Sequence, residues 1–243
     1  MNNVALFDYL NLFLYAVLPY VTLVVFFLVS IQRYIGHGFT YTSLSSQFLE
    51  NKVHFWALVP FHYGILIILG GHLIGFLIPG QLLVWNSSPL RLYVLEITGL
   101  IGGVFTMVGL VNIVLRRLTS VKAQMVTTIA DWIVLSVLIF QVGTGIYTAV
   151  FHSWGSYWFA TSMSPYLWSI VTLSPDISFV TPLPYMVKMH ILGAFAVIFL
   201  FPFTRLVHVL VVPNPYLWRK PQMVRWYYDR KRIRTTEFET PKH

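Results

Sequence analysis

The 243-residue chain contains no cysteine, which excludes a disulfide framework, an iron–sulfur cluster held by this chain and any group attached through thioether bonds. A metal bound here is therefore expected on imidazole. Charged residues are also scarce, at 10% of the sequence against 57% hydrophobic, and a soluble domain with a solvated surface could not tolerate that balance. The expected fold is all-α, an integral membrane bundle. The first residues, MNNVALFDYL, have no basic region, and the apolar run after them is too long for a cleaved leader. No signal peptide is expected, and the first helix is expected to stay.

What is present sorts into five apolar spans of the length a bilayer requires, roughly 20 residues each. They cover about Leu10 to Ile31, Trp56 to Ile78, Leu92 to Leu115, Ala130 to Val150 and Val187 to Val212. The formal net charge of +8 does not indicate nucleic-acid binding, because the basic residues sit between and after the spans. Arg33 and Lys52 follow the first span, Arg116, Arg117 and Lys122 follow the third, and eight Lys or Arg lie beyond Pro213. The other side receives Arg91, with Lys188 at the edge of the last span. By the positive-inside rule the N-terminus is outside and the C-terminus cytoplasmic. The long connection from His152 to Met186 carries a short apolar piece, Tyr166 to Leu173, expected as an interfacial helix flanked by Pro165 and Pro175. Residues 1–213 read as one five-helix domain. Residues 214–243, basic and rich in Trp and Tyr, read as a tail that docks a cytoplasmic partner, with anionic lipid as the alternative contact.

Histidines carry the chemistry. His190 and His208 stand eighteen residues apart in the last span, which on one unbroken helix is five turns, the same face, and about 27 Å along the axis. A histidine inside a membrane helix is costly unless the bundle uses it. The second span supplies His62 and His72, about 15 Å apart on a helix. If the two helices run oppositely, His62 pairs with His208 on the cytoplasmic side and His72 with His190 on the outer side. The unequal spacings leave a gap of about 12 Å, to be absorbed by tilt, ligand reach or a bend near Pro60 or Pro202. A lone histidine could equally be a polar side chain satisfied by a backbone carbonyl. His37, His54 and His152 are read that way, as ordinary interfacial residues, with His54 the substitute for His62.

A site of two imidazoles without carboxylate or thiolate suits an iron already held by four porphyrin nitrogens, whereas zinc or copper would want more protein ligands. Two b haems are the expected cofactors. Both axial positions are then filled, which favours electron transfer over oxygen chemistry. Gly64, Gly70, Gly71, Gly75 and Gly193 lie within about a turn of the ligands, where a flat macrocycle needs the backbone close; small-residue helix packing is the alternative. Arg205, Arg33 and Arg117 are candidates for haem propionates, Arg117 also serving as an orientation charge. Asp131 is expected as a first-turn carboxylate favourable to a helix N-terminus.

Several stretches carry a resemblance: SSQFLENK from Ser45, FHYGIL and GGHLIG in the second span, RRL from Arg116, TTIAD from Thr127, LFPFTRLVH from Leu200 and YLWRKPQMVR from Tyr216. Over nearly its whole length the chain resembles the membrane-anchoring di-haem cytochrome b subunit, the gamma subunit, of respiratory nitrate reductases. The resemblance implies that His62 and His208 hold the haem nearer the cytoplasm, and His72 and His190 the outer one. It implies that a quinol, menaquinol or ubiquinol, is oxidised near the outer haem. Electrons then reach an iron–sulfur beta subunit and a molybdenum-containing alpha subunit that reduces nitrate on the cytoplasmic side of the inner cell membrane. Each electron moved inward is coupled to the membrane potential at roughly 2.3 kcal/mol per 100 mV. Arg91 stands where the family places a lysine beside the quinol, and with Gly71 it is the candidate quinol site. An interfacial anchor is the other reading of Arg91.

Two alternatives stay open at this point. The same di-haem module could serve another redox complex, for nitrite oxidation or a heterodisulfide- or sulfite-linked reaction. A haem-free transporter could use intramembrane histidines to relay protons.

Overall fold

The computed structural model describes residues 3–36 and 54–211, and in these every regular element is helical. Five helices are long and apolar enough to cross a membrane, Leu6–Gly36, Trp56–Leu77, Pro89–Thr119, Ile129–Phe151 and Tyr185–Phe203. All five expected spans are there, most extended by a few residues, and the chain is a multi-pass membrane protein. The expected positions of His37, His243, Lys52 and the tail fall outside the described residues, as do the motifs at Ser45 and Tyr216. So does the His54 side chain.

Helix α1 spans residues 3–36, with one wide turn at Phe13–Val17. Helix α2 is His54–Leu77, α3 Pro79–Trp85, α4 Pro89–Thr119, α5 Val121–Met125 and α6 Ile129–Phe151. Both α3 and α4 begin on proline, whose missing N–H is harmless in a first turn. A capping box starts α6: Thr128 Oγ1 accepts from the Asp131 N–H, and the Asp131 carboxylate accepts from the Thr128 N–H. That agrees with the first-turn role expected of Asp131.

Packing joins α2 to α4, α4 to α6, α6 to α8 (Tyr185–Leu200) and α8 to α1. Helices α2 and α4 meet backbone to backbone. A Cβ on Gly64 would lie 2.5 Å from Thr106 Oγ1 and 2.6 Å from the Gly102 carbonyl, and one on Gly109 would lie 2.5 Å from the Phe61 nitrogen. Small residues at such spacing let membrane helices approach closely, so that dispersion contacts replace the hydrophobic drive that lipid cannot supply. Gly64 therefore belongs to helix packing, the alternative that its sequence context had left open. On the other side of α4, Leu110 packs with Val134, Leu135, Leu138 and Val142 of α6.

The connection after α6 differs from the sequence expectation. The helix expected from Tyr166 is present over Ser164–Val171, but it is the end of a longer helix α7, residues 155–171, which runs through a wide turn at Phe159–Met163. Tyr166 is fully buried, clustered with Tyr15, Met163, Ile170, Val187, Ile191 and Phe195 between α1 and α8. Its hydroxyl donates to the Tyr15 carbonyl at 2.7 Å, and Tyr20 donates to the Ile170 carbonyl at 3.1 Å. Burial, with Tyr15 and Tyr20 nearby, pushes the Tyr166 phenol above its ordinary range, so it remains a neutral donor. An aromatic run reads as interfacial from composition, but here its polar tips find backbone acceptors inside the bundle.

The last span is also not one unbroken helix. Helix α8 ends at Leu200, a 3-10 turn follows at Phe201–Phe203, and Thr204 is fully extended (φ −120°, ψ −179°) before a second turn at Arg205–Val207. Thr204 caps that turn by accepting from the Leu206 N–H. Helix α9, His208–Val211, comes after it. Pro202 has no N–H to continue the helix, which is the physical reason for a break here. Helix α2, by contrast, continues through Pro60. His190 and His208 are therefore not on one unbroken helix, and their eighteen-residue spacing does not correspond to about 27 Å along a single axis.

Candidate functional site: two facing imidazole pairs

Helices α2 and α8 share no packing comparable to that of their neighbours, and α2 is 11% buried over its apolar window, the least of the five spans. The two histidines of α2 nevertheless meet partners from the last span, His72 facing His190 of α8 and His62 facing His208 of α9. The His62 and His208 rings lie 6.2 Å apart between centroids, and the His72 and His190 rings 6.3 Å. These are the pairings the opposed helix directions predict, with about 15 Å between them along α2.

The protonation of each ring follows from its neighbours. His62 Nδ1 lies 2.8 Å from the Leu58 carbonyl, and His72 Nδ1 lies 2.8 Å from the Ile68 carbonyl, each one turn back on α2. His208 Nδ1 lies 2.7 Å from the Arg205 carbonyl. His190 Nδ1 lies 3.1 Å from the Gln141 carbonyl of α6. A carbonyl can only accept, so each Nδ1 carries the proton and each Nε2 presents a lone pair. That is the tautomer a metal-binding imidazole adopts, with Nδ1–H fixed by a second partner.

The spacing and donors fit an iron porphyrin. An imidazole nitrogen sits about 2 Å from a bound metal and about 1.2 Å from its own ring centre, so two trans imidazoles place their centroids about 6.4 Å apart. Both observed separations are within about 0.2 Å of that. No group of three or more His, Cys, Asp or Glu that could hold a bare metal ion occurs among the described residues, so the donor set is the bis-imidazole one. A Cβ on Gly70 or Gly71 would meet nothing within 4 Å, which leaves the backbone beside His72 open to a flat group. Gly75 and Gly193 are different: there a Cβ would strike Phe159 at 2.7 Å and the Gln141 Oε1 at 2.1 Å.

Sequence reasoning missed what surrounds the pairs. Phe159 of α7 meets His72 edge-on, 5.3 Å between centroids. The Gln141 side-chain Nε2 lies 3.4 Å from His190 Nε2, and its Oε1 is buried without a hydrogen-bond partner. A Cβ at Gly145 would lie 2.9 Å from His190 Cε1, so α6 closes directly on that ring. Near His208, Asp131 is 3% exposed and joins two cations: Arg205 Nε donates to Oδ1 at 2.7 Å, and Arg117 donates to Oδ2 at 3.4 Å. Arg205 also donates to the Val126 carbonyl at 2.6 Å. The same residue that fixes His208 through its carbonyl is thereby tied to α6. A buried Asp implies a counter-charge, but nothing in the sequence names Arg205, 74 residues away, as that charge.

The remaining candidates make the following contacts. Arg33 donates to the Pro202 carbonyl, securing the break in the last span to α1. Arg33 and Arg205, the candidates for propionates, each donate to a backbone carbonyl. Arg91 is exposed, lies over the Trp85 ring at 5.4 Å and donates to Ser87 Oγ at 3.3 Å, contacts of its own α3–α4 hairpin. Gly71 is exposed one residue before His72. His152 is the C-cap residue of α6, 6.1 Å from Tyr147 between ring centroids, away from both pairs. Glu96 near the start of α4 accepts from the Gly155 and Ser156 N–H groups and from Ser156 Oγ at 2.6 Å, fastening the start of α7.

Fold and geometry together define a class: a multi-pass helical membrane protein with two facing imidazole pairs between opposed spans. A family model described as nitrate reductase gamma subunit matches residues 11–227. The chain is 34% identical over 210 residues to the nitrate reductase gamma chain of Bacillus subtilis, covering 85% of this chain and 94% of that one. It is 34% identical over 224 residues to the respiratory nitrate reductase 2 gamma chain of Escherichia coli, with 90% and 98% covered. The respiratory nitrate reductase 1 gamma chain of the same organism is 33% identical over 223 residues, again with 90% and 98% covered. The chain belongs to the nitrate reductase gamma subunit family.

Proposed function

We propose that this chain is the di-haem cytochrome b subunit that anchors a quinol:nitrate oxidoreductase in the inner cell membrane. The observation that carries the proposal is the meeting of two imidazole pairs at 6.2 and 6.3 Å, with every Nδ1–H already accepted by a carbonyl. His62 and His208 would hold a b haem nearer the cytoplasm, and His72 and His190 one nearer the outside. Bound at each pair, the haems would supply one-electron carriage between the two faces.

The chain's own residues do the rest. The N-terminus lies outside and the C-terminus in the cytoplasm, because that orientation puts Arg33, Arg116, Arg117 and Lys122 on the inner side. Arg91 then stands at the outer face. Its guanidinium bonds a quinol oxygen near His72, with Gly71 leaving room for the ring, and the quinol protons leave outside. Glu96 holds the start of α7 against the same end of α4 and brings Phe159 over His72, which screens that imidazole. On the inner side the Arg205–Asp131–Arg117 cluster holds the segment that carries His208. Electrons leave there for an iron–sulfur beta subunit and a molybdenum-containing alpha subunit that reduces nitrate, with residues 214–243 as the docking surface.

Purification through a tag on this chain, from membranes, should bring both partner subunits with it. A quinol added to that complex should produce reduced b-type absorption bands, and nitrate should then bleach them. Bands that quinol cannot produce would refute quinol oxidation here. Bands that appear with quinol but survive nitrate would place the same module in a different redox complex.

A further inference from the structure

The four imidazoles are not anchored alike. His62, His72 and His208 each donate Nδ1–H to a carbonyl of their own segment, three or four residues back. His190 instead reaches into α6, where two acceptors wait: the Gln141 carbonyl at 3.1 Å and the Thr144 hydroxyl oxygen, also at 3.1 Å. The Thr144 hydroxyl has its own acceptors, the Phe140 and Gln141 carbonyls, both at 3.0 Å. Its proton is directed to those carbonyls, so its lone pairs face His190. A threonine bonding one turn back in a helix is commonplace; one that also takes a share of a neighbouring helix's imidazole proton is not explained by helix packing.

We infer that Thr144 is a tuning residue for the iron bound by His190. A second acceptor on Nδ1–H draws that proton away from the ring, makes Nε2 a stronger donor, and favours the ferric over the ferrous state. The His72–His190 site is thereby held at a lower reduction potential than the Gln141 carbonyl alone would give. Among the described residues the His62–His208 site has no counterpart, since Leu58 presents a single carbonyl to His62 and Arg205 a single one to His208. The inference rests on the two-haem reading proposed above and adds a residue that sets one haem apart from the other.

The test is an equilibrium redox titration of the b-type bands in the whole complex, comparing the unsubstituted protein with Thr144→Val, Thr144→Ala and Thr144→Ser. Valine keeps the shape and removes the acceptor, alanine removes both, and serine restores the acceptor. Two haems per chain in the unsubstituted protein, one of them absent from His190→Ala, establish which titration step belongs to this site. Thr144→Val and Thr144→Ala should raise the midpoint of that step, leave the other step in place, and retain two haems. Thr144→Ser should return the midpoint toward its original value. An unmoved midpoint in both the valine and alanine variants overturns the inference, as does a shift of both steps together. A chain without b haem overturns the two-haem reading itself, and the tuning role with it.

Discussion

The two imidazole pairs have nearly the same ring separation but reach it by different means. At the His72–His190 pair, both residues sit on regular helix; His72 bonds within α2, and α6 supplies the acceptors of His190 with the Gln141 amide and the Gly145 backbone that close on it. At the His62–His208 pair one partner lies beyond the end of its helix. His208 follows an extended residue and a 3-10 turn, and its position depends on Arg205, which is fixed by Asp131 and Val126. One site is organised by helix packing and the other by an ionic cluster that repairs a break. The lesson is that a membrane span need not be one continuous helix to present two imidazoles to a neighbouring helix, provided the freed segment has charged anchors.

Removing a ligand should separate the pairs most sharply. His208→Ala should abolish the His62–His208 haem and leave much of the other, while His190→Ala should do the reverse. Haem content and the number of steps in a redox titration decide it. Loss of both haems from either variant would mean that the pairs are not independent sites.

Asp131→Ala should come next. It leaves Arg205 and Arg117 without their buried carboxylate, a loss of about 3 kcal/mol in stability, and it should loosen His208 without touching His190. Heating purified complex while following haem release should show the His62–His208 haem leaving first and at lower temperature than in the unsubstituted protein. Equal release of both haems would show that the cluster supports the whole bundle and not one ligand.

A third substitution acts on the other site. Gly145→Ala puts a methyl group 2.9 Å from His190 Cε1, an overpacking of about 1–2 kcal/mol. It should alter the spectrum and midpoint of the His72–His190 haem alone. The smallest effect is expected at Gly99 on α4, where a Cβ meets nothing within 4 Å. Gly99→Ala should leave haem content intact and shift stability by less than about 1 kcal/mol. A large loss there would point to a partner surface on that face of α4.

How much of this was legible beforehand follows from the range over which each interaction acts. Hydropathy reports lipid exposure residue by residue, so all five spans were readable, and α6 announced its start through Thr128 and Asp131. The histidine pairing was readable because opposed helices leave one order of contacts. Pro202 marked the break, although Pro60, chemically the same residue, does not break α2. The rest depends on side chains far apart in sequence. Nothing local says that Gln141 and Thr144 turn toward His190, that Glu96 receives the first turn of α7, or that Asp131 closes on Arg205. The burial of the aromatic connection after α6 was hidden for a related reason, because composition cannot distinguish a Tyr at a headgroup from Tyr166 with its hydroxyl on a buried carbonyl.

The most direct test of the central claim is a pyridine haemochrome count on the purified chain, made together with that of the His72→Ala variant. The account predicts two b haems per chain, falling to one in the variant with the His62–His208 haem retained. A chain that binds no b haem, or one whose count is unchanged by loss of His72, would contradict it.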